Sequence, residues 1–204
     1  MGKIKGRLDY PLAMRIISGR LRSRRLAFPK SKKTRPMMDR AKEMIFNILG
    51  ESVVDARVLD LFAGSGSLGL EALSRGAVEA TFVEKGPWAQ KVIRENLEKL
   101  GLRGKACLLR KDVFSAICSL ERKGETFTLI FLDPPYNQGL AKKILNRLDR
   151  SDIVTPLTQL ILHHSRQEKL PESLESLKVL REKRFGQACL SFLSWRRRET
   201  TGHD

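Results

Sequence analysis

From Arg57 onward, short apolar runs rich in β-branched and aromatic residues alternate with stretches of helical periodicity. Strict alternation of strands and helices is typical of a parallel sheet that is covered by helices on both faces. The predicted strands are Val58–Phe62, Ala80–Val83, Ala106–Leu109, Phe127–Leu132 and Gln159–Leu162. The predicted helices between them are Ser67–Arg75, Trp88–Leu100, Val113–Leu120 and Leu140–Leu148. The chain is therefore predicted to have an α/β fold.

The pattern changes after Pro171. Leu177–Phe185 and Ala188–Trp195 are joined through Phe185-Gly186-Gln187, which is typical of an antiparallel hairpin. Added to the five parallel strands, this hairpin predicts a seven-stranded, mostly parallel sheet with an antiparallel C-terminal hairpin.

A different pattern precedes the α/β region. Between Arg15 and Phe28, two apolar groups flank a basic stretch, which predicts a small basic β-hairpin. Asp39 is well placed as the N-cap of a helix with an apolar stripe, and Phe46 lies off that stripe and needs a separate partner. The stripe consists of Ala41, Met44, Ile45, Ile48 and Leu49. We predict a disordered extension at residues 1–13, the hairpin and helix at 14–52, the α/β domain at 53–196 and a tail at 197–204.

Composition excludes several classes of protein. With 204 residues, 41% of them hydrophobic, the chain can build one core without disulfides or metals. Its apolar runs, such as Leu129–Leu132, are far shorter than the ~20 residues of a membrane span, and residues 1–10 lack a signal-peptide pattern. The cysteines at 107, 118 and 189 have neither disulfide nor zinc spacing. We therefore expect a cytoplasmic protein, outside membranes, without a metal site.

Positive charge is concentrated near the N-terminus. The net charge is +16, and residues 1–50 contain 14 basic and 3 acidic side chains, a net +11. Such a basic arm favours a nucleic acid partner first and an anionic membrane surface second, while a merely solvated face is the simplest alternative. Arginines outnumber lysines in the arm, and guanidinium groups bind phosphate and stack on bases. The arginines at its centre are Arg20, Arg22, Arg24 and Arg25.

A glycine loop follows the first predicted strand. Gly64, Gly66 and Gly69 fit the G-x-G-x-x-G pattern, and Glu84 follows the next strand. Small residues let the backbone approach a nucleotide-like ligand, and Glu84 can accept hydrogen bonds from both hydroxyls of a ribose. This loop occurs in nicotinamide-dependent dehydrogenases and in enzymes that use S-adenosylmethionine (SAM), and it can also be simple strand-to-helix packing.

Two further carboxylates favour SAM. Asp60 immediately precedes the loop, where it would repel a pyrophosphate but suit the ammonium group of a methionine moiety. Asp112 ends the third strand, where it can accept from an adenine amino group, cap the helix that begins at Val113, or do both.

The tetrapeptide Asp133-Pro134-Pro135-Tyr136 ends the fourth predicted strand. Two prolines stiffen this loop and remove two backbone donors, so that carbonyl groups are left free to accept. If Asp133 and the Pro134 carbonyl each accept one N–H bond, the lone pair of a nucleobase amine can turn toward a methyl donor. Tyr136 would stack on the base and hold it out of its helix.

These two motifs together resemble the class I SAM-dependent methyltransferases that modify exocyclic amines. From Met14, about nine-tenths of the chain is similar to the RsmD family, which methylates N2 of one guanine in small-subunit (16S) ribosomal RNA. Matching segments include Arg15-Ile16-Ile17-Ser18-Gly19, Arg35-Pro36 with Asp39-Arg40, Phe46-Asn47-Ile48-Leu49, Gly69-Leu70-Glu71-Ala72-Leu73-Ser74-Arg75-Gly76 and Arg181-Glu182-Lys183.

The resemblance implies a Rossmann-like methyltransferase fold, SAM as cofactor, S-adenosylhomocysteine as product, and ribosomal RNA in a partly or fully assembled small subunit as partner of a monomer. The implied catalytic residues are Asp133, Pro134, Pro135 and Tyr136. The implied cofactor contacts are Asp60, Phe62, Ala63, Gly64, Ser65, Gly66, Glu84, Lys85, Asp112 and Val113. The implied RNA contacts are Arg20, Arg22, Arg24, Arg25 and Arg35.

The chain departs from the family pattern at two places. Met37-Met38 stands where the family usually has Thr after its Arg-Pro pair, and His163-His164 stands where the fifth strand often has Glu. The two histidines are interpreted as ordinary strand-end residues.

Three other functions compete with this interpretation. An adenine-N6 DNA methyltransferase shares both motifs but normally needs an added recognition domain. A nicotinamide dehydrogenase explains the glycine loop but neither the Pro-Pro-Tyr loop nor the basic arm. A non-catalytic RNA-binding assembly factor could use the same scaffold.

Overall fold

A computed structural model describes residues 14–28, 39–136 and 138–196. The helices are α1 (Asp39–Leu49), α2 (Ser67–Ser74), α3 (Pro87–Leu100), α4 (Val113–Glu121) and α5 (Leu140–Leu148). The strands are β1 (Arg57–Asp60), β2 (Glu79–Val83), β3 (Ala106–Leu109), β4 (Phe127–Leu132), β5 (Val154–Ser165), β6 (Leu177–Phe185) and β7 (Ala188–Trp195). The predicted extension at 1–13, the tail at 197–204 and Arg35 lie outside the described residues.

All seven strands belong to one sheet, in the order β3-β2-β1-β4-β5-β7-β6. Strands β1 to β5 pair in parallel, whereas β7 pairs antiparallel with both β5 and β6. The predicted sheet is therefore confirmed. Since β2 and β4 lie on opposite sides of β1, the topology switches beside β1. Ligands of open α/β sheets bind at such a switch, at the carboxyl ends of the strands.

Helices cover both faces of the sheet, and adjacent strand residues point to opposite sides. Val58 and Phe131 belong to an apolar cluster that includes residues of α1, α2 and α3. Leu59 and Ile130 belong to a second cluster with residues of α4 and α5. Because both faces are covered, the inner strands consist of continuous apolar runs, and these runs made the strands predictable from the sequence.

The predicted N-terminal hairpin is only a partial hairpin. Residues 14–28 turn back on themselves, but the pairing is a single antiparallel bridge, Arg15 to Arg25, with no regular strand. The polypeptide bonds to helix α2 instead of extending its own ladder. At Gly19 the backbone passes so close that a Cβ atom would lie 2.0 Å from the carbonyl oxygen of Ser74.

A buried carboxylate fastens this segment to α2. Glu71 is fully buried and accepts hydrogen bonds from the backbone N–H groups of Ile17 (2.8 Å) and Ser18 (2.9 Å) and from Nε of Arg75 (2.9 Å). The ammonium group of Lys42, also fully buried, lies 3.9 Å from Glu71. Burial lowers the pKa of Lys42, and the nearby Glu71 charge opposes that effect. The sequence did not predict this network.

Helix α1 uses the predicted stripe and one residue beside it. The off-stripe Phe46 is buried, and its ring lies 5.8 Å from that of Phe131 and 4.6 Å from the Arg75 guanidinium, so it has the separate partners that it was predicted to need. Asp39 is itself helical in the described part of α1, so it is not the N-cap that the sequence predicted.

Strand β5 is longer than predicted. It runs to Ser165 because residues 159–165 pair with β7, a contact that no local pattern indicates. The three cysteines are free, as predicted. Among the described residues, no helix is long and apolar enough to cross a membrane.

Candidate active site

The glycine loop connects β1 to α2 at the carboxyl edge of the sheet. Gly66 caps α2 with φ of 81°, and a Cβ atom there would lie 3.3 Å from the Phe82 ring, within the core. Gly69 is closer still, since a Cβ atom would lie 2.4 Å from the same ring. These two glycines therefore serve the packing of α2 on β2. Gly64 has φ of 53°, and among the described residues a Cβ atom there would meet only the Phe62 carbonyl oxygen, at 4.0 Å, so there is space beside this glycine.

Asp60 is buried at the end of β1 and is only partly compensated. Its Oδ2 atom accepts from the Gly69 N–H at 3.3 Å, while Oδ1 is buried without a hydrogen-bond partner among the described residues. Burial raises the pKa of Asp60 to about 7, and the Asp133 and Glu84 carboxylates add to the rise. A buried acceptor of this kind is suited to a cationic group that arrives with a ligand.

Glu84 follows β2 and faces the glycine loop. Its carboxylate accepts from the N–H groups of Gly64 (3.0 Å) and Gly86 (2.6 Å). A carboxylate has about four acceptor positions, so two remain for ligand hydroxyls. Glu84 therefore fixes the loop while keeping the capacity that the sequence analysis assigned to it.

The other predicted cofactor residues differ in accessibility. Phe62 is half-buried, Ala63 and Ser65 are buried, and Lys85 is exposed. The Ser65 carbonyl accepts from the Asn96 side chain, which also holds the N-terminal segment at Ala27.

Asp112 is the N-cap of α4. Its side chain is exposed and accepts from the Ser115 N–H at 3.1 Å. Hydrogen bonds from the Ser115 side chain and then from its backbone lower the pKa of this carboxyl group. The capping alternative is therefore confirmed, and free acceptor positions remain on the carboxylate. The next residue, Val113, is buried in the α4 and α5 cluster, so its side chain serves packing.

The Asp133-Pro134-Pro135-Tyr136 loop leaves β4, the strand next to β1. Pro134 is buried, Asp133 is half-buried, and Pro135 and Tyr136 are exposed. The structure thus brings the second predicted motif next to the first, across the point where the sheet topology switches.

His163 is a further candidate site residue, which the sequence analysis did not identify. Its Nδ1 atom lies 2.8 Å from Oδ1 of Asp133, and its Nε2 atom lies 2.8 Å from the hydroxyl of Tyr136. The ring also stacks on Phe185 at 5.7 Å. The sequence analysis interpreted His163 as an ordinary strand-end residue and did not predict these contacts. The available signal was its position, because Leu162 of β5 pairs with Leu132 of β4 and each strand then continues into a polar residue.

The predicted RNA-binding arginines lie away from this site. The side chains of Arg20, Arg22, Arg24 and Arg25 are exposed. However, the Arg20 N–H bonds to the Ser74 carbonyl, at the end of α2 opposite the glycine loop. Helix α2 spans about 12 Å, starting from the carboxyl edge of the sheet. The segment from Arg20 to Arg25, which we call the Arg20–Arg25 loop, therefore lies toward the amino edge.

A second basic surface lies nearer to Asp133. It is a groove between α1 and β6, whose polar lining is Arg40, Glu43, Asn47, Arg181 and Lys183. We call it the α1–β6 groove. Lys183 and His163 are both paired with Leu190 of β7, so one end of the groove adjoins the carboxyl edge.

Comparison with known proteins agrees with this architecture. A family model described as conserved hypothetical protein 95 matches residues 14–194. The chain belongs to this family, the RsmD family.

Relatives of the RsmD family cover most of the chain. It is 37% identical to the ribosomal RNA small subunit methyltransferase D of Escherichia coli K12 over 176 residues, which are 86% of this chain and 87% of the relative. The solved structure of the Escherichia coli protein yhhF is 33% identical with a TM-score of 0.80, covering 90% of this chain and 98% of that one. An RNA methyltransferase of Salinibacter ruber, solved with S-adenosylhomocysteine, shares the fold at 15% identity and a TM-score of 0.62 over 83% of this chain and 99% of that one.

Proposed function

We propose that this protein transfers a methyl group from SAM to the exocyclic N2 amine of a guanine in small-subunit ribosomal RNA. The observation that carries the proposal is the pairing of two unlike acidic sites across the β1–β4 switch, a buried Asp60 beside the glycine loop and Asp133 in the Pro-Pro-Tyr loop. The name of the 37% identical Escherichia coli relative supports ribosomal RNA as substrate. The guanine and its N2 atom rest on the family resemblance.

The residues present fit SAM. The unpartnered Oδ1 of Asp60 suits the ammonium of the methionine moiety, and the two remaining acceptor positions of Glu84 suit the ribose hydroxyls. Asp112 is exposed at the end of β3 and can accept from the adenine amine. SAM, when bound here, supplies an electrophilic methyl carbon.

Asp133 and the Pro134 carbonyl orient the target amine. The lone pair of an exocyclic amine is delocalised into the base, so the amine is a poor nucleophile until its N–H bonds are held by acceptors. A carboxylate and a carbonyl in a proline-stiffened loop hold those bonds and stabilise the positive charge that builds on nitrogen. The exposed Tyr136 ring can stack on the extruded base.

The Asp133→Ala variant tests the catalytic assignment. The measurements are tritium transfer from labelled SAM to 16S RNA and to small subunits, and calorimetry of SAM binding. Loss of this contact should lower the transfer rate by about 10²–10³-fold with little change in SAM affinity. The matched control is Asp152→Ala, an exposed carboxylate at the amino end of β5, which should leave both unchanged. Normal turnover of Asp133→Ala would overturn the assignment.

The substrate is tested on the product. Digestion of the labelled RNA to nucleosides should yield N2-methylguanosine, while methyladenosine or no transfer by the wild type would overturn the proposal. Transfer to free 16S RNA compared with partly assembled and complete subunits then identifies the accepted substrate. Sedimentation of the active protein tests whether it is a monomer.

We propose that the Arg20–Arg25 loop contacts RNA phosphates. Replacing Arg20, Arg22, Arg24 and Arg25 with Gln should weaken RNA binding, spare SAM affinity and lower the salt dependence of log K by about two to four units. The comparison variant combines Arg181→Gln with Lys183→Gln and tests the α1–β6 groove by the same measurements. If the salt dependence of log K is unchanged in the first variant and lower in the second, the groove binds the RNA and the Arg20–Arg25 loop does not.

A further inference from the structure

His163 connects the two ends of the Pro-Pro-Tyr loop. Beyond the pairing of Leu162 with Leu132, His163 lies beside Asp133 at the carboxyl edge. One imidazole nitrogen lies 2.8 Å from the carboxylate of Asp133 and the other 2.8 Å from the hydroxyl of Tyr136. A single side chain from β5 therefore joins the first and last residues of the loop that follows β4.

The imidazole ring itself is held firmly. Phe185 stacks on it with an interplanar angle of 6°, and the Tyr136 ring meets it edge-on with centroids 5.4 Å apart. Only 11% of the His163 side chain is exposed. The stacking on Phe185 of β6 and the pairing of His163 within β5 hold the ring from outside the loop, whereas the Tyr136 ring contact and both hydrogen bonds connect it to the loop.

Of the two neutral tautomers of His163, only the one with the proton on Nδ1 satisfies both hydrogen bonds. An ionised Asp133 only accepts, so Nδ1 must carry the proton that it donates to Oδ1. In the neutral ring Nε2 is then an acceptor and takes the Tyr136 O–H. Because this bond occupies Oδ1, Oδ2 of Asp133 is the oxygen left to accept from a substrate amine, and the bond to the hydroxyl helps to hold the Tyr136 ring on which a base would stack.

We propose that His163 is a positioning residue, which fixes the Asp133 carboxylate and the Tyr136 ring in the arrangement that receives the target base. This inference rests on the proposed function for its kinetic part. Its structural part, the Nδ1–H tautomer shared between Asp133 and Tyr136, stands independently of any substrate.

Two substitutions separate hydrogen bonding from packing. His163→Phe keeps a ring against Phe185 but removes both hydrogen bonds, and His163→Asn can restore the donor to Asp133. Misplacement of a catalytic group by about 1 Å can cost about 10²-fold. We expect His163→Phe to lower kcat by about 10- to 100-fold, with SAM affinity and Tm close to wild type, and His163→Asn to recover part of kcat.

His164 offers a matched control on the opposite face of the sheet. It is a buried histidine whose Nδ1 and Nε2 atoms lie 2.9 Å from the Ser165 carbonyl and from the Ser191 hydroxyl, away from the loop. His164→Asn should leave kcat unchanged even where it lowers Tm. If it lowers kcat as much as His163→Phe does, the effect is general strain and the proposal fails.

A spectroscopic measurement decides the structural part without activity. Nitrogen-15 NMR of the imidazole rings should show His163 as the Nδ1–H tautomer, with the Nδ1 signal moved by Asp133→Asn and the Nε2 signal moved by Tyr136→Phe. An Nε2–H tautomer, or signals insensitive to both substitutions, would overturn the proposal. A wild type with no methyl transfer but with these signals would instead overturn the proposed function alone.

Discussion

Asp60 and Glu71 are both buried carboxylates, eleven positions apart in the sequence, but their surroundings differ. Glu71 in α2 is surrounded by two backbone N–H groups, Arg75 and the Lys42 ammonium, so its charge is compensated within the chain. Within the described part of the chain, Asp60 at the end of β1 has one hydrogen bond and one oxygen without a partner, and its pKa is raised to about 7.

The difference distinguishes a structural charge from a binding charge. A buried ion with all of its partners inside the chain fixes the fold, because removing one partner leaves the others unpaired. A buried ion that lacks a partner lowers the stability of the free protein. A ligand that brings the missing charge offsets this cost when it binds. Burial alone does not separate the two kinds, since both residues are almost fully buried.

The largest expected effect is on the structural charge. Glu71→Gln leaves the buried Lys42 with only the half-buried Asp39, 3.8 Å away, as a counterion among the described residues, and it weakens the bonds to Ile17 and Ser18. Breaking a buried pair in this way costs about 3–5 kcal/mol. Urea denaturation should show this loss, with SAM affinity of the folded fraction unchanged. Glu79→Gln, in a half-exposed pair with Arg57, is the control and should cost less than about 1 kcal/mol. Equal losses in the two variants would remove the distinction.

The second effect is a pH dependence of stability. The pKa of Asp60 is raised in the folded state, so its contribution to stability is complete below its ordinary value of 3.8 and is lost as pH rises through about 7. The shift in the pKa of Asp60 corresponds to at most about 4 kcal/mol in the free energy of unfolding. Asp60→Asn should therefore gain stability relative to wild type between pH 4 and pH 8 in paired denaturation curves. Parallel curves over this range would show that Asp60 is compensated after all.

The two carboxylates also show what sequence can predict. The strands were located because two-sided burial makes them continuous apolar runs, and Asp60 was identified because it ends one of them beside a glycine loop. Glu71 was read only as part of a matching segment. Its partners Ile17, Ser18 and Lys42 come from other elements, and no local pattern indicates them.

The same reason explains what else the sequence could not predict. The contacts of His163 depend on β5 lying beside β4 and β6 lying near enough for Phe185 to stack on its ring. The Arg20–Arg25 loop was assigned from charge, which says nothing about the edge of the sheet at which the loop lies. Gly66 was expected to leave room for a ligand, but it was found to face Phe82, because the direction of a glycine's missing side chain depends on the fold.

The third effect is on ligand binding. Asp60→Asn removes the charge that we propose binds the ammonium group of SAM, and a hydrogen bond to a charged partner is worth about 1.5–3 kcal/mol. SAM affinity should fall by about 10- to 100-fold in calorimetry. The wild-type affinity should also rise with pH up to about 7, as Asp60 becomes ionised, and this rise should be absent in the variant. An unchanged affinity would mean that Asp60 does not meet the cation.

The smallest effect concerns Asp112, a carboxylate of a third kind, exposed and used by the chain as a cap. Asp112→Ala should cost about 1 kcal/mol of stability, because the Ser115 N–H loses its acceptor. Asp112→Ser keeps a capping oxygen and should restore most of that stability, but it cannot reach an adenine amine. If Asp112 also binds adenine, SAM affinity falls by about two- to tenfold in both variants, as expected for a single neutral donor. If affinity falls only in the alanine variant, the loss follows the helix cap, and Asp112 belongs with Glu71 among the structural carboxylates.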